Sequence, residues 1–232
     1  MPLLAELHEL AELPELPELP ELPELVEPSA AGPAVLALPR GGVPVAAEVA
    51  AALHAPLDVL VVRKLGMPGQ PELAFGAVAS GVHPDRPVQV RNDLVLARGR
   101  ASPDQLDAVV AREVTELRRR EHAYRGERPA VDVSGRVVVV VDDGLATGAS
   151  ARAALLAVRA RGPSTVVLAV PVAPRSTLTA LHAVADHVVC AAVPRRFIAV
   201  GRHYADFHQV TDAEVHAVLR VQRRGEDVEF PH

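Results

Sequence analysis

The stretch VVVVVDDGLATGAS, Val137–Ser150, decides how the rest of the chain is read. Five consecutive valines have no polar face and are β-branched, which is the pattern of a strand buried on both sides in a parallel sheet. Two aspartates, Asp142 and Asp143, stand at its carboxyl end, and a turn rich in glycine and hydroxyls leads from them into a helical pattern. Adjacent carboxylates at the end of a buried strand repel each other and lose hydration, so the arrangement is unfavourable unless a ligand uses it. The turn that follows opens a helix, whose first amides and positive dipole end suit an anion.

The segments on either side follow the same alternation of apolar strands and amphipathic helices. Strands are expected at Ala34–Leu38, Leu57–Val62, Val137–Val141, Thr165–Val170 and Val188–Ala191, and helices at Pro44–Leu53 and Gly148–Arg161. A long helix is expected from Pro103 to Tyr124, with Ser102 as cap, Pro103 in the first turn and Gln105 reaching back. The sequence TDAE, Thr211–Glu214, marks the start of a final helix in the same way. The fold class expected is α/β, a doubly wound, mostly parallel sheet with helices on both faces. Such sheets take ligands at the carboxyl ends of their strands.

Composition bounds the rest. The 232 residues suit one compact domain, or a domain with an appendage, and the core must be mostly Ala, Val and Leu because aromatics make up 3% and Trp is absent. No apolar run approaches the roughly 20 residues of a membrane span, and the amino terminus has neither the basic start nor the apolar core of a secretory signal. The single cysteine, Cys190, excludes an internal disulfide framework and reads as a core residue. A cytoplasmic protein without membrane contact is expected. The net charge of −5 is uneven: residues 1–28 hold eight glutamates and no Lys or Arg, which leaves 21 acidic against 24 basic residues elsewhere. That mild basicity fits a small anionic ligand and is too weak to argue for nucleic acid. Lys64 is the one lysine among the 24 basic residues.

The segment ELPELPELPELPEL, Glu12–Leu25, repeats every three residues. Proline at every third position forbids an α-helix and permits polyproline II, so residues 1–30 read as a low-complexity tail or a semi-rigid arm, and 31–232 as the domain. The ten histidines show no zinc-type spacing. On the long helix Glu113, Glu116 and Arg118–Arg120 read as a solvated face with i,i+4 pairs.

Three loops gather at the carboxyl ends of the strands. LPRGGVP, Leu38–Pro44, offers Arg40 as a fork of donors and Gly41 and Gly42 for close backbone approach. VVRKLG puts Arg63 and Lys64 after the second strand. The third is Asp142–Asp143 with the turn Gly144, Leu145, Ala146, Thr147, Gly148, Ala149 and Ser150. A Walker loop requires Lys after its last glycine, where this turn has Ala149, and no Gly-x-Gly-x-x-Gly follows the first strand. What remains is a phosphate cradle preceded by two acceptors for vicinal hydroxyls, and a phosphorylated ribose presents both groups.

VVVVVDDGLATGAS resembles the phosphoribosyl-pyrophosphate signature of the type I phosphoribosyltransferases. LALPRGGVPVAAEVA and LDVLVVRKLG resemble the pyrophosphate loop and second strand of a bacterial branch of that family, and the similarity runs from about Val35 to Val215. The resemblance implies transfer of a phosphoribosyl group from phosphoribosyl pyrophosphate to a nitrogenous base, with release of pyrophosphate. It implies that Asp142 and Asp143 bind the ribose hydroxyls and residues 144–150 the 5′-phosphate. Arg40, Gly41 and Gly42 would take pyrophosphate, and Lys64 and Arg63 would be catalytic. Mg²⁺ would be the cofactor, held mainly by substrate oxygens and water, and a homodimer is expected. Gly66–Gly76 would form a mobile loop over the site.

A small hood at about 194–210 would carry Phe197, Ile198 and Val200 to the acceptor base; Phe197 reads equally as a plug at the core edge. The hood vaguely resembles that of 6-oxopurine enzymes, whereas Ala146 matches the adenine and uracil enzymes, so the acceptor base is left open. The Glu-Leu-Pro repeat stands where relatives carry an Arg- and Gly-bearing helix. Two other outcomes fit the same fold: a non-catalytic regulator that binds phosphoribosyl pyrophosphate or a nucleotide, and an enzyme that hydrolyses the donor.

Overall fold

The structure is a computed structural model that describes residues 32–81 and 87–226. Residues 1–30, read as the tail, lie outside the described residues. Five parallel strands form the central sheet in the order β2-β1-β6-β7-β8: β1 Ala34–Ala37, β2 Leu57–Val59, β6 Val137–Val141, β7 Thr165–Val172 and β8 His187–Ala192. A second, antiparallel sheet consists of β3 Val62–Met67, β4 Gln70–Ala79 and β5 Val88–Arg91. The helices are α1 Gly42–Leu53, α2 Asp93–Arg98, α3 Pro103–Arg125, α4 Ala149–Arg159, α5 Arg175–Leu181 and α6 Asp212–Glu226.

The valine run behaves as its composition demands. All five residues of β6 are buried, and alternate ones enter different cores. Val137, Val139 and Val141 join α1, α3 and α6 on one face, while Val138 and Val140 join α4 and α5 on the other. β1 lies beside β6 in register, Ala34 opposite Val138 and Ala37 opposite Val141. The strand order reverses between these two: β2 continues on one side of β1, and β7 and β8 continue beyond β6. A crevice at the carboxyl ends of β1 and β6 is therefore the topological switch point of the sheet.

The expected single strand Leu57–Val62 is two strands. After pairing with β1 the chain keeps one more contact, Leu60 N donating to Ala37 O at 2.9 Å, and then leaves the sheet. Val61 N donates to Ser80 Oγ at 3.0 Å, which ties it to the end of β4. The apolar run looks continuous in sequence because Leu60 and Val61, at the crossing between the two sheets, are both buried. As a result Arg63 and Lys64 sit on the antiparallel hairpin rather than at the edge of the parallel sheet, and Gly66–Gly76, expected as a mobile loop, belongs to the hairpin β3–β4.

The starts of α3 and α6 are capped as expected. Ser102 N donates to Gln105 Oε1 and Gln105 N to Ser102 Oγ; Thr211 N donates to Glu214 Oε2 and Glu214 N to Thr211 Oγ1. The end of α3 is anchored by charge. Arg125 Nε donates to Asp58 Oδ1 at 3.0 Å and Arg125 Nη2 to Val59 O at 2.9 Å, so β2 is clamped to the helix by a pair whose side chains are each 6% exposed. Asp58 Oδ2 also accepts from Val131 N at 3.0 Å, just ahead of β6.

Replacing Asp58 by alanine would leave the buried Arg125 guanidinium with two of its three partners, Glu121 Oε1 at 3.3 Å and Val59 O. Breaking such a pair costs about 3–5 kcal/mol. Urea unfolding of Asp58→Ala should show that loss, and a loss under about 1 kcal/mol would show that the clamp is not structural.

Candidate functional site

β1 ends in a tight loop. Leu38 N donates to Val141 O at 2.8 Å, Gly42 N to Leu38 O at 3.1 Å and Val43 N to Arg40 O at 3.1 Å, and the Pro39–Arg40 peptide is cis. The loop is pressed on the acids that end β6. A Cβ on Gly41 would lie 1.8 Å from Asp143 Oδ2, and one on Gly42 would lie 2.8 Å from Val141 O and 2.9 Å from Asp142 Cα. Backbone atoms block a side chain at Gly42, and one at Gly41 would have to displace the Asp143 carboxyl, so close approach accounts for the paired glycines.

Asp143 N donates to Asp142 Oδ1 at 3.0 Å, which turns the first carboxyl back on the second residue. Both side chains are partly buried. Burial first, and the Asp143 charge second, push the Asp142 carboxyl well above the ordinary range; burial also raises that of Asp143. The pair thus bears an electrostatic penalty in the absence of a ligand. The hydroxyl of Tyr204 donates to Asp143 O, and burial raises its pKa, so it stays a donor.

The turn after the acids is held from below. Leu145 N donates to Val172 O at 2.9 Å, Thr177 Oγ1 donates to Ala146 O at 2.7 Å, and Leu145 itself is buried. Ala146, Thr147, Ala149 and Ser150 are exposed on its outer side. Gly148, at φ 70°, caps α4, whose first turn has no side-chain cap and no acidic residue. The helix therefore presents uncompensated amides beside two acceptors, which suits a ligand with an anionic group and neighbouring hydroxyls.

Of the residues expected at the site, Arg40, Gly41, Gly42, Asp142, Asp143 and 144–150 come together. Val200, on a 3₁₀ turn Val200–His203, also reaches it: a Cβ on Gly144 would lie 2.7 Å from Val200 Cγ1. The Phe197 ring lies near-parallel to that of His203 with ring centroids 5.9 Å apart, and Ile198 is 76% exposed.

Arg63 and Lys64 are placed elsewhere. Arg63 donates from Nε and Nη2 to Glu113 Oε2 at 2.9 and 2.6 Å, while Arg112 Nε donates to Glu113 Oε1 at 3.0 Å. Glu113, expected on a solvated face, is 7% exposed; burial would raise its pKa, but the two arginines outweigh it and lower the value. Glu116, with Arg119 and Arg120 at 2.7 Å, does form the expected surface pairs. Lys64 Nζ lies 3.4 Å from Glu72 Oε2 across the hairpin. These cations line a cleft of about 520 Å³ between the hairpin and α3, floored by Met67 and Val109. Two contacts at the site had no marker in sequence: Tyr204 on Asp143, and Asp212, which pairs with Arg40 at 3.7 Å. A backbone acceptor and a partner 172 positions away leave no local pattern.

Fold and crevice together define a doubly wound α/β domain with an acid pair and a glycine turn at its switch point. The model of the phosphoribosyl transferase domain matches residues 29–201, and the chain belongs to that family. Two Mycobacterium tuberculosis proteins, from strains CDC 1551 and H37Rv, are each named "Putative phosphoribosyl transferase"; each is 50% identical over 185 residues, covering 80% of this chain and 41% of its own length. The chain thus spans about two fifths of the length of these curated relatives. The crystal structure of TT1426 from Thermus thermophilus is 46% identical with a TM-score of 0.73, covering 85% of this chain and 89% of that one.

The raised acid pair has a consequence for stability. A carboxyl whose folded pKa lies above its unfolded value near 3.8 stabilises the fold when protonated, and that contribution is lost as pH rises through the raised value. Asp142→Asn/Asp143→Asn should melt at a higher temperature than the parent at pH 7–8, with the difference shrinking toward pH 4. An Asn pair that is less stable at pH 7 would show that the carboxylates are structural, and a difference independent of pH would show that their titration does not set the stability.

Proposed function

We propose that this chain transfers a phosphoribosyl group from phosphoribosyl pyrophosphate to a nitrogenous acceptor and releases pyrophosphate. The observation that carries the reading is the contact of the Gly41–Gly42 loop with Asp142 and Asp143, which joins a close-approach loop, two acceptors and an open helix start in one crevice. In this reading the two acids accept from the ribose 2′ and 3′ hydroxyls. The exposed turn residues and the first amides of α4 hold the 5′-phosphate, with hydroxyls from Thr147 and Ser150. The Arg40 loop receives the pyrophosphate.

The bond from C1′ to the pyrophosphate oxygen breaks with its electron pair going to pyrophosphate, and the acceptor nitrogen bonds to C1′ and gives up its proton. The protein contributes positioning and fixed charge and needs no nucleophile of its own. Among the described residues no group of three or more His, Cys, Asp and Glu is placed to hold a metal ion. Two carboxylates and a polyphosphate ligand nevertheless suit Mg²⁺, which keeps most of its ligands from substrate and water. When bound, Mg²⁺ would neutralise charge on the departing pyrophosphate.

One observation favours a second reading, a binder of the same ligand that does not turn it over. Arg63 is committed to Glu113, and Lys64 is drawn to Glu72. Tyr124, near the end of α3, donates its hydroxyl to Asp212, the Arg40 partner, and Glu113 lies eleven residues before it, which is about 16 Å of helix. Turnover would require the hairpin to bring Lys64 over the crevice.

Phosphoribosyl pyrophosphate with Mg²⁺ should raise the melting temperature, by the equivalent of about 2.7 kcal/mol at 100 times its dissociation constant. Ribose 5-phosphate should act more weakly. No shift at millimolar donor would sink the proposal. Pyrophosphate release against a panel of nitrogenous bases then separates the two readings. An enzyme releases it, and Lys64→Ala lowers kcat by about 10²-fold with the melting temperature unchanged. A binder shows the thermal shift without release for any base.

A further inference from the structure

The Arg40 side chain is met by a carboxylate from the far end of the chain. Asp212, the first residue of α6, lies 3.7 Å from Arg40 Nη1, and the matched family residues end at 201. Asp212 is itself held. The hydroxyl of Tyr124, a residue 4% exposed at the end of α3, donates to Asp212 Oδ1 at 3.0 Å. His216, one turn further along α6, packs on the Tyr124 ring at 6.2 Å. Three elements thus meet at one oxygen: the loop after β1, the end of α3 and the start of α6.

The distances separate the fixed partner from the free one. Tyr124 bonds Asp212 at hydrogen-bonding distance from a buried position, and the helix start favours an anion there. Arg40 stands beyond hydrogen-bonding distance of the acid, with the Arg40 side chain 34% and the Asp212 side chain 61% exposed, so the acid is held by the Tyr124 bond and not by burial. Asp212 can therefore orient the guanidinium while leaving its donors free. Arg119 and Arg120, also on α3, are held by Glu116.

We propose that Asp212 is a positioning residue for Arg40, so that α6 completes the pyrophosphate side of the crevice through the Tyr124–Asp212–Arg40 chain. This rests on the phosphoribosyl pyrophosphate reading of the crevice. A free arginine samples many rotamers, and ordering it only on binding weakens affinity; an arginine already aimed by a fixed acid avoids most of that loss. The direction of the effect is diagnostic. On charge alone, removing an acid beside an anion site tightens anion binding. If positioning dominates, removing it weakens binding.

The test is calorimetric titration of the full chain with inorganic pyrophosphate plus Mg²⁺, and separately with ribose 5-phosphate. Asp212→Asn keeps an acceptor for Tyr124 and removes only the charge. It should bind pyrophosphate about three- to ten-fold more weakly, the size expected for one side chain ordered on binding, and ribose 5-phosphate within about two-fold of the parent. Tyr124→Phe should weaken pyrophosphate in the same direction by a smaller factor, and Asp212→Glu should recover part of the loss. Pyrophosphate binding to Asp212→Asn that is equal or tighter overturns the proposal and leaves the crevice reading standing. A parent chain that binds neither probe overturns both.

Discussion

The contact of two glycines with two acids, across neighbouring central strands, is the constraint on which the rest of the site depends. β1 and β6 run side by side in register, so the loops that leave their carboxyl ends must share one small volume. Any Cβ on Gly41 would collide with the Asp143 carboxyl. Burial raises the pKa of both acids, and the Asp143 charge raises that of Asp142 further, so the folded domain holds a local electrostatic penalty that a ligand with hydroxyl donors can relieve. The valine strand makes this tolerable: it is buried on both faces and sets the backbone of Asp142 from within the core.

The long helix α3 links the site to the rest of the molecule. Its amino-terminal half packs on the hairpin through the Arg63–Glu113 pair, and its last turn carries both the Arg125 clamp on β2 and the Tyr124 bond to α6. A displacement of the hairpin and a displacement of α6 would therefore both act on the same helix. The charged residues on α3 divide accordingly between buried pairs that fix neighbours, such as Glu113 and Arg125, and exposed pairs with Glu116.

How much of this was legible depended on whether the signal was local. The parallel sheet, the capping of α3 by Ser102 and Gln105, and the convergence of the Arg40 loop with the Asp142 turn rest on strand composition, cap chemistry and strand-end position, which a sequence displays directly. The break between Leu57–Val59 and Val62–Met67 was not legible, because a run that passes from one buried sheet to another stays apolar throughout. Glu113 looked like a surface acid because a helical charge pattern does not reveal an arginine fifty positions earlier on the facing hairpin. The same holds for Tyr204 on Asp143 and Asp212 on Arg40, whose partners meet only in the folded chain.

The most direct measurement is a crystal structure of the chain soaked with ribose 5-phosphate. The account predicts the phosphate on the Ala146–Ser150 turn at the start of α4, with the 2′ and 3′ hydroxyls at hydrogen-bonding distance from Asp142 and Asp143. A sugar phosphate seated instead in the cleft beside Arg63 and Arg112, or a phosphate on the turn with both acids out of reach of the hydroxyls, would contradict it.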